Sequence, residues 1–564
     1  MEIRGKKIVL AASDSESNEY LRSTWRQMLL ATLPARYAKY IGTRWSLKNE
    51  IAADGQAKYV PQGLRVVEAL LLEKFEADDV VVCYPDQFEQ FIGSETRVVG
   101  VHAHNPLGIT FATDVYAYLY GATIEPINAE EFRRLILHPV LRKHKNHLKL
   151  IVGGPGSWQI EKKQLQDEWG IDTIVDGEAE DVVVPLFEAA ARGETIPRKV
   201  EGRSPELSSI PRIKHRSTFG AVEITRGCGR GCQFCSVALR AGKSLPLEHI
   251  LSDVRVQVAE GADTILLVTE DVFLYEQGQR FETNGAALKK LLDSVAAVPG
   301  VKHVMLTHGT MAPVVKDPSL IEQLSEVAVG YSVNTHPAST HPQQRYANLF
   351  IGLETGSPRL FDQHMKGKAY PYRSEQWPDV VLKGMQILNK HNWFPFCTFI
   401  LGLPGEQRED TKLSLDLLHS LKGSKWCVIP TLFVPLEDTR LEKRAGAKLV
   451  EMTDLQWEFF FTAWRYNLDF YFHRSSQLHW RFSLGVPIYY YLLGRKLFGQ
   501  EMKYALMRLG HYPERWLKRR LYLDFRDGAE PKYRVPDQVP IPAERLRPSL
   551  PNLTGIQIQN AGGA

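Results

Sequence analysis

The stretch TRGCGRGCQFC (residues 225–235) places three cysteines within eight positions of a chain that has only six. Their spacing is C-x3-C-x2-C, and Gly227, Gly229 and Gly231 stand among them. The β-rich run AVEIT (221–225) comes directly before, so the cysteines follow the end of a predicted strand. Glycine permits the tight turns with which a backbone folds around a bound group. The pattern therefore indicates a binding loop at a strand end.

The number of thiols narrows the kind of site. A structural zinc site needs four ligands, and no fourth Cys or His lies nearby at finger-like spacing, since His215 and His249 are poorly placed. A redox dithiol needs only two cysteines and leaves the third unexplained. Three thiolates can close one face of a cubane iron–sulfur cluster and leave one iron free. We therefore predict a [4Fe-4S] cluster held by Cys228, Cys232 and Cys235.

The composition is that of a folded, soluble protein, with 44% hydrophobic residues, 24% charged residues and a formal net charge of +4. This positive excess is too small to argue for nucleic acid. A length of 564 residues predicts two or three domains. Few, unevenly spread cysteines and an N-terminus without secretory features predict the reducing cytoplasm. The longest uncharged apolar stretch, residues 482–494, is shorter than the roughly 17 residues that a spanning helix needs.

Alternating strand-like and helix-like segments divide this α/β chain into four parts. Residues 1–200 predict a doubly wound, Rossmann-like parallel sheet. Residues 201–219, with Pro, Ser and Arg, predict a linker. Residues 220–445 repeat the alternation with six strands, which predicts a partial (β/α)6 barrel that is open on one side. Residues 446–564 predict an aromatic-rich helical region followed by an irregular tail.

The cysteine motif Cys228-x3-Cys232-x2-Cys235 after a first barrel strand, with Phe234 before the last cysteine, resembles the signature of the radical S-adenosylmethionine (radical SAM) superfamily. The resemblance implies that the free iron binds the amino and carboxylate groups of S-adenosylmethionine. An electron from the cluster then breaks a carbon–sulfur bond, and the resulting 5′-deoxyadenosyl radical abstracts a hydrogen atom from the substrate.

Three further runs resemble later elements of that barrel. TILLVTED (264–271) ends the second strand, although it lacks the usual Gly-Gly-Glu turn. IGLETGSPRLFDQHMKGK (351–368) resembles the fourth-strand element Gly-x-Glu-x-Gly-Ser, and FILGLPGEQRED (399–410) resembles the fifth-strand turn. The resemblance implies that S-adenosylmethionine contacts Thr269, Glu270, Glu354, Ser357 and Gly402.

The N-terminal domain resembles the cobalamin-binding domain that precedes the barrel in one group of radical SAM enzymes. The resemblance rests on RVVGVHAHN (97–105), IVGGPGS (151–157) and VDGEAED (175–181). It implies that cobalamin contacts His102, His104, Gly153 and Gly154. Such domains often carry Asp-x-His-x-x-Gly after the first strand, whereas this chain has SDSESNEY (13–20) there. Either cobalamin binds without a protein histidine, or the domain is a retained scaffold that binds none.

Several residues near these motifs have structural alternatives. Glu354 and Glu406 are each predicted either to contact the cofactor or to lie at a helix start, where the helix dipole stabilises a carboxylate. Arg226 and Arg230 either screen the charge of the cluster or are simply solvated. Three cysteines in apolar strand patterns are predicted to be buried small hydrophobic residues: Cys83, Cys397 and Cys427.

Residues 457–499 interleave aromatic and apolar residues with basic ones. They predict either a helical cap on the barrel mouth or an apolar tunnel or membrane-interface patch for a lipid-like substrate. In the second case four basic residues would meet head groups: Arg474, Arg481, Arg495 and Lys496. We accordingly expect an apolar, lipid-like substrate, peripheral membrane contact and no nucleic acid, with an external reductant such as ferredoxin or flavodoxin.

The leading functional hypothesis is hydrogen abstraction from an unactivated carbon, followed by methyl transfer from methylcobalamin to the substrate radical. The enzymatic alternative is radical carbon–carbon bond formation or cyclisation without methyl transfer. A non-catalytic iron–sulfur electron carrier or sensor is the third hypothesis, but it leaves Glu354 and the Gly402 turn without a purpose.

Overall fold

The computed structural model describes residues 3–20, 35, 49–110, 113, 125–334, 344–471 and 532–546. Among these residues, no helix is both long enough and apolar enough to cross a membrane.

The N-terminal part is a six-stranded, wholly parallel sheet with the strand order β2-β1-β3-β4-β5-β6. Its first three strands are almost entirely buried and valine-rich, as expected where helices cover both faces of a parallel sheet. The strands are β1 (Ile8–Ala11), β2 (Val80–Cys83), β3 (Val98–His102), β4 (Lys149–Gly153), β5 (Thr173–Gly177) and β6 (Lys199–Gly202).

Strand β1 lies between β2 and β3, so the strand order reverses beside β1. Ligands of open α/β sheets bind outside the carboxyl ends of the strands at such a switch point. The helices of this part are α1 (Asp14–Ser17), α2 (Gln62–Leu71), α3 (Phe88–Phe91), α4 (Ile127–Ile136), α5 (Pro139–Lys143), α6 (Trp158–Lys162) and α7 (Val183–Ala191).

The second part is a parallel barrel whose strands follow one another in chain order. Strands β11 and β12 are two pieces of one strand interrupted at Thr307, so six strand positions run from β7 to β15. No recorded pairing among the described residues joins β7 to β15, which leaves the barrel open. The strands are β7 (Ala221–Glu223), β10 (Thr264–Val268), β11 (His303–Leu306), β12 (His308–Gly309), β13 (Phe350–Glu354), β14 (Phe396–Leu401) and β15 (Cys427–Leu432).

A short antiparallel pair, β8 (Thr225–Arg226) and β9 (Lys243–Ser244), frames the cysteine loop after the first barrel strand. Helices connect the barrel strands on the outside, and the longer ones carry an apolar face toward the barrel. These helices are α8 (Leu247–Ala259), α9 (Gly285–Ala296), α10 (Met311–Lys316), α11 (Pro318–Ala328), α12 (Pro358–Met365), α13 (Trp377–Lys390) and α14 (Arg408–Ser420).

Helix α15 (Asp454–Tyr471) packs on β15 and α14, and a short helix, α16 (Ala543–Leu546), follows later in the chain. Buried Trp457, Phe459 and Phe460 of α15 join the hydrophobic core of the barrel. The remainder of the predicted aromatic region, with the four basic residues expected to meet head groups, lies outside the described residues.

Candidate active site

The cysteine loop owes its shape to its glycines. Gly227, Gly229 and Gly231 all have φ between 75° and 77°, in the left-handed region that side chains disfavour. A Cβ on Gly227 would lie 2.5 Å from the carbonyl oxygen of Ala241, so the loop backbone packs directly on the following segment. Any other residue at position 227 would push this contact apart.

The three thiols of the loop fit a polynuclear cluster. Burial raises the pKa of Cys228 to about 11 and that of Cys232 to about 12, and it also raises the pKa of Cys235. Each thiolate therefore needs a bound cation to be stable near neutral pH. Ligands that share a single metal ion lie within about 4.8 Å of one another, and the three sulfur atoms of this loop do not all lie that close together. Separate ligands for separate irons suit this spacing.

The end of β10 anchors this loop through Asp271. The fully buried Asp271 carboxylate accepts hydrogen bonds from Arg230 in the cysteine loop (2.9 Å) and from Thr310 (2.8 Å). Arg230 is likewise buried and lies 4.9 Å from the ring centroid of Phe281. Arg230 is therefore a buried structural anchor of the loop and is not solvated.

Glu270, directly before Asp271, has no such partner among the described residues. Its side chain is exposed, yet burial raises its pKa, with the Glu223 carboxylate adding to the shift. The carboxylate therefore lies among protein atoms while water can still reach it. It also raises the pKa of the Cys235 thiol, so Glu270 lies near the cysteine loop. Thr269, by contrast, is buried, and its hydroxyl bonds to that of Thr225 (2.5 Å).

Glu354 ends β13 in a strained conformation, with φ at 66° next to a register shift in the strand. One carboxylate oxygen accepts a hydrogen bond from Lys368 (2.9 Å), and the other accepts one from the Thr398 hydroxyl (3.0 Å). A Cβ on Gly352 would lie 1.8 Å from the Glu354 carboxylate and 2.3 Å from the Lys368 ammonium. Only glycine at position 352 leaves room for this buried ion pair.

Lys368 was not predicted from the sequence as a site residue. Burial opposes its charge, but the carboxylate of Glu354 and the thiol of Cys232 together raise its pKa. The same ammonium lowers the pKa of Cys232. Lys368 therefore places a fixed positive charge between β13 and the cysteine loop.

His308 was also missed, although it stands at the carboxyl end of the third barrel strand. Its Nδ1 lies 3.1 Å from the carbonyl oxygen of Thr269. Because a carbonyl only accepts, Nδ1 carries the proton and Nε2 remains an acceptor. The ring is exposed although burial lowers its pKa, and the Lys368 ammonium contributes to that shift. His308 thus lies near Lys368 at the carboxyl end of the third barrel strand.

The residues predicted at the fourth and fifth strand ends have structural partners. Ser357 is fully buried and caps α12, and its hydroxyl donates to Asp410 (2.6 Å). Glu406 accepts from the backbone of Gly402 (2.6 Å) and from the Thr411 hydroxyl (2.6 Å), which closes its own turn. Contacts from Ser357 and Gly402 to S-adenosylmethionine stay predictions.

In the N-terminal sheet, the predicted glycines pack against protein. A Cβ on Gly153 would lie 3.3 Å from the Val175 side chain, and one on Gly154 would lie 2.8 Å from the carbonyl oxygen of Ala103. Substituting Gly154 would therefore disturb the protein's own backbone before it met any ligand. Cobalamin contacts at both glycines stay predictions.

The two predicted histidines differ in their surroundings. His102 Nδ1 lies 3.0 Å from Glu16, a buried carboxylate supplied by the SDSESNEY segment, and its ring lies against Gly63 at the start of α2. The His104 side chain is exposed and has no hydrogen-bond partner among the described residues. Only His104 therefore presents an open imidazole at this edge of the sheet.

Arg226 joins the N-terminal domain to the cysteine loop. Its guanidinium donates to Glu178 (2.9 Å) and Glu180 (2.5 Å), which follow β5, and to Glu223 (2.7 Å) of β7. All four side chains are at most 17% exposed, so these ion pairs are shielded from water. The VDGEAED segment thus docks beside the loop that carries the thiols.

Residues 222–418 match the family model described as the Radical SAM superfamily. The chain therefore contains a radical SAM domain. The match spans the barrel from β7 to α14 and confirms the predicted superfamily. It also supports the predicted [4Fe-4S] cluster and S-adenosylmethionine, the cofactors that define such a domain.

Among curated relatives, the tRNA-2-methylthio-N(6)-dimethylallyladenosine synthase of Bdellovibrio bacteriovorus is 25% identical over 49% of this chain and 56% of that protein. A probable threonylcarbamoyladenosine tRNA methylthiotransferase of Pyrococcus abyssi is 26% identical over 43% of this chain and 52% of that protein. The chain thus spans about half the length of these two relatives.

These relatives correct one prediction. Both carry the names of tRNA-modifying enzymes, so the expectation of an apolar, lipid-like substrate and no nucleic acid is wrong. The expectation rested partly on a net charge of +4, and a whole-chain charge does not describe the field inside one cleft.

Solved structures of the radical SAM methyltransferase TsrM from Kitasatospora setae share the fold. One, with tryptophan and a SAM analogue bound, has a TM-score of 0.51 at 14% identity and covers 78% of this chain and 75% of TsrM. Another, with cobalamin and a [4Fe-4S] cluster bound, has a TM-score of 0.50 at the same identity. The likeness confirms the predicted α/β fold with its two sheets.

Proposed function

We propose that this chain is a radical SAM methyltransferase that binds a [4Fe-4S] cluster and S-adenosylmethionine in the barrel and cobalamin on the N-terminal sheet. The observation that carries the proposal is the loop with three free thiols, beside which lies the unpartnered carboxylate of Glu270. When bound, the cluster and S-adenosylmethionine supply a carbon-centred radical, and cobalamin supplies a methyl group.

The residues of the barrel bind and orient these groups. Cys228, Cys232 and Cys235 hold the cluster as thiolates. Glu270 accepts hydrogen bonds from the amino group of S-adenosylmethionine, because its carboxylate is exposed and has no donor among the described residues. Lys368 keeps Glu354 in place and adds a positive charge beside the cluster.

The number and position of the cysteines in this chain favour methyl transfer to carbon over transfer of a methylthio group. Apart from the three in the loop, Cys83, Cys397 and Cys427 are fully buried within strands. They lie in three separate strands and form no second three-cysteine motif, so the chain offers no loop for a second cluster that could supply sulfur. The names of the sequence relatives nevertheless favour a second candidate, the modification of a tRNA nucleoside.

The experiment uses anaerobically reconstituted protein, a chemical reductant and S-adenosylmethionine with an isotopically labelled methyl group. Total tRNA and L-tryptophan serve as separate probe substrates. We expect 5′-deoxyadenosine together with labelled methyl on bound cobalamin, and labelled methyl on whichever probe is a substrate. A methylthio group on a digested tRNA nucleoside would establish the second candidate instead.

Two further results would reject methyl transfer through cobalamin. One is 5′-deoxyadenosine formation with substrate conversion in protein that takes up no cobalamin, which would favour radical coupling or cyclisation. The other is a cluster that forms but never cleaves S-adenosylmethionine, which would favour an electron carrier. The Glu270→Gln variant is the matched control, since it should assemble the cluster but bind S-adenosylmethionine more weakly.

A further inference from the structure

The carboxyl edge between β1 and β3 holds two imidazoles, and the structure leaves one of them open. Glu16 binds the His102 ring, whose exposed fraction is only 10%. His104, two residues on, is exposed and has no hydrogen-bond partner in the described part of the chain. This edge is the topological switch point, where ligands of doubly wound sheets bind.

The backbone that carries His104 is held firmly. Its N–H donates to Glu16 (2.9 Å), and the N–H of Asn105 donates to the same carboxylate oxygen (3.3 Å). A Cβ on Gly156 would lie 2.2 Å from the carbonyl oxygen of His104, so the loop after β4 packs directly against it. The ring therefore projects from a fixed support, as a ligand to a bound group requires.

The other side chains at this edge are poor ligands for cobalt. The segment after β1 supplies hydroxyls and carboxylates, which are hard ligands, and Ser13 and Ser17 are fully buried. Cys83 is enclosed within β2, and burial raises the pKa of its thiol. Imidazole is the donor at this edge that suits a first-row transition metal best.

We propose that His104, at the end of β3, is the protein ligand to the cobalt of cobalamin. This inference rests on the proposed cobalamin binding, and it assigns to β3 the role that a histidine after the first strand fills in other cobalamin domains. Glu16 is a positioning residue, because its carboxylate binds both the His102 ring and the His104 backbone.

The test is electron paramagnetic resonance of the full-length protein reconstituted with cobalamin and reduced to cob(II)alamin. Coordination by one histidine nitrogen splits the cobalt lines into triplets, and ¹⁵N-labelled histidine in the protein converts the triplets to doublets. The nucleotide base of cobalamin stays ¹⁴N, so a base-coordinated cobalt would keep its triplets. We expect doublets in the labelled parent protein.

The variants separate the two histidines. His104→Ala should lose the histidine splitting while retaining bound cobalamin, and added imidazole should restore it. His102→Gln should keep the splitting. Two results would overturn the assignment of His104 and leave the proposed function standing. One is loss of the splitting in His102→Gln but not in His104→Ala, and the other is triplets in the labelled parent. Protein that takes up no cobalamin would overturn both the assignment and the proposed function.

Discussion

Replacing Lys368 with methionine should leave the carboxylate of Glu354 buried without its positive partner. The two side chains are only 11% and 7% exposed, so water cannot take the place of the ammonium. Removing one partner of a buried ion pair costs about 3–5 kcal/mol. The Thr398 hydroxyl continues to donate to Glu354, and methionine fills the volume of the lysine stem. We therefore expect the lower end, about 3 kcal/mol.

The same substitution should act on the cluster. Lys368 is close enough to Cys232 to lower the pKa of its thiol, so it stabilises negative charge at that ligand. Without the ammonium, the reduced cluster is less stable and its reduction potential falls. Redox titration of the reconstituted protein, followed by its absorbance, measures this effect separately from stability.

The stability assay is urea unfolding of the reconstituted protein, followed by the loss of cluster absorbance. A chain with several domains does not unfold in one step, so this transition reports on the barrel and is compared between variants. The double variant Glu354→Gln with Lys368→Met removes both charges and should recover about 2 kcal/mol relative to the sum of the single variants. Lys289→Met, which breaks an exposed pair with Asp293, is the control and should change nothing measurable.

Strictly additive losses in this cycle would refute the buried pair. So would a Lys368→Met variant whose unfolding midpoint and cluster potential both match those of the parent.

Substitutions in four other parts of the structure should have the following effects. Each of the three ligand cysteines changed to alanine should abolish iron–sulfur absorbance and 5′-deoxyadenosine formation, whereas Cys83→Ala should change neither. Glu270→Ala should weaken S-adenosylmethionine binding, measured by calorimetry, with the cluster intact; unchanged binding would make this carboxylate structural. Burial raises the pKa of Asp253, in α8, to about 7, so the parent should lose stability as pH rises from about 4 to about 7. Asp253→Asn should flatten the thermal unfolding midpoints over that range. Arg226→Gln should speed proteolysis between the two sheets, while Arg192→Gln, which breaks an exposed pair, should not.

The cluster loop could be predicted because its chemistry is local. Three cysteines, three glycines and a preceding strand all lie within fifteen residues, and the spacing alone limits the metal group. Glu270 and Glu354 could be predicted for a related reason, since each ends a recognisable apolar strand. Side chains at the carboxyl ends of parallel strands meet at one edge of the barrel.

The partners of these residues could not be predicted, because they depend on tertiary contacts. Lys368 follows Glu354 by fourteen positions and returns to it through α12 and a 3-10 turn. A motif comparison gives no distance between the two. Gly352 was the one sequence feature that could have indicated the pair, since a glycine inside a strand often marks a close approach by another group. His308 is a lone histidine after an interrupted strand, and sequence gives it no more weight than any other.

The segment after β1 is a second case in which the sequence predicts which residues are present but not what they contact. SDSESNEY contains no imidazole, which correctly excluded a histidine ligand from that loop. The sequence did not reveal that Glu16 reaches across the switch point to His102 and to the backbone of His104. Because of that contact the His102 ring is hydrogen-bonded, whereas the His104 ring has no partner among the described residues.

The ion pairs of Arg226 join the edge proposed to bind cobalamin to the edge proposed to bind the cluster. Glu178 and Glu180 follow the carboxyl end of β5, and Arg226 follows the carboxyl end of β7. Their contact brings the carboxyl edges of both sheets together, and these edges carry the proposed ligands of cobalamin and of the cluster. A methyl group can reach a short-lived carbon radical only if donor and radical share one enclosed space. The buried contact between VDGEAED and the cysteine loop is one of the contacts that hold the two edges in that arrangement.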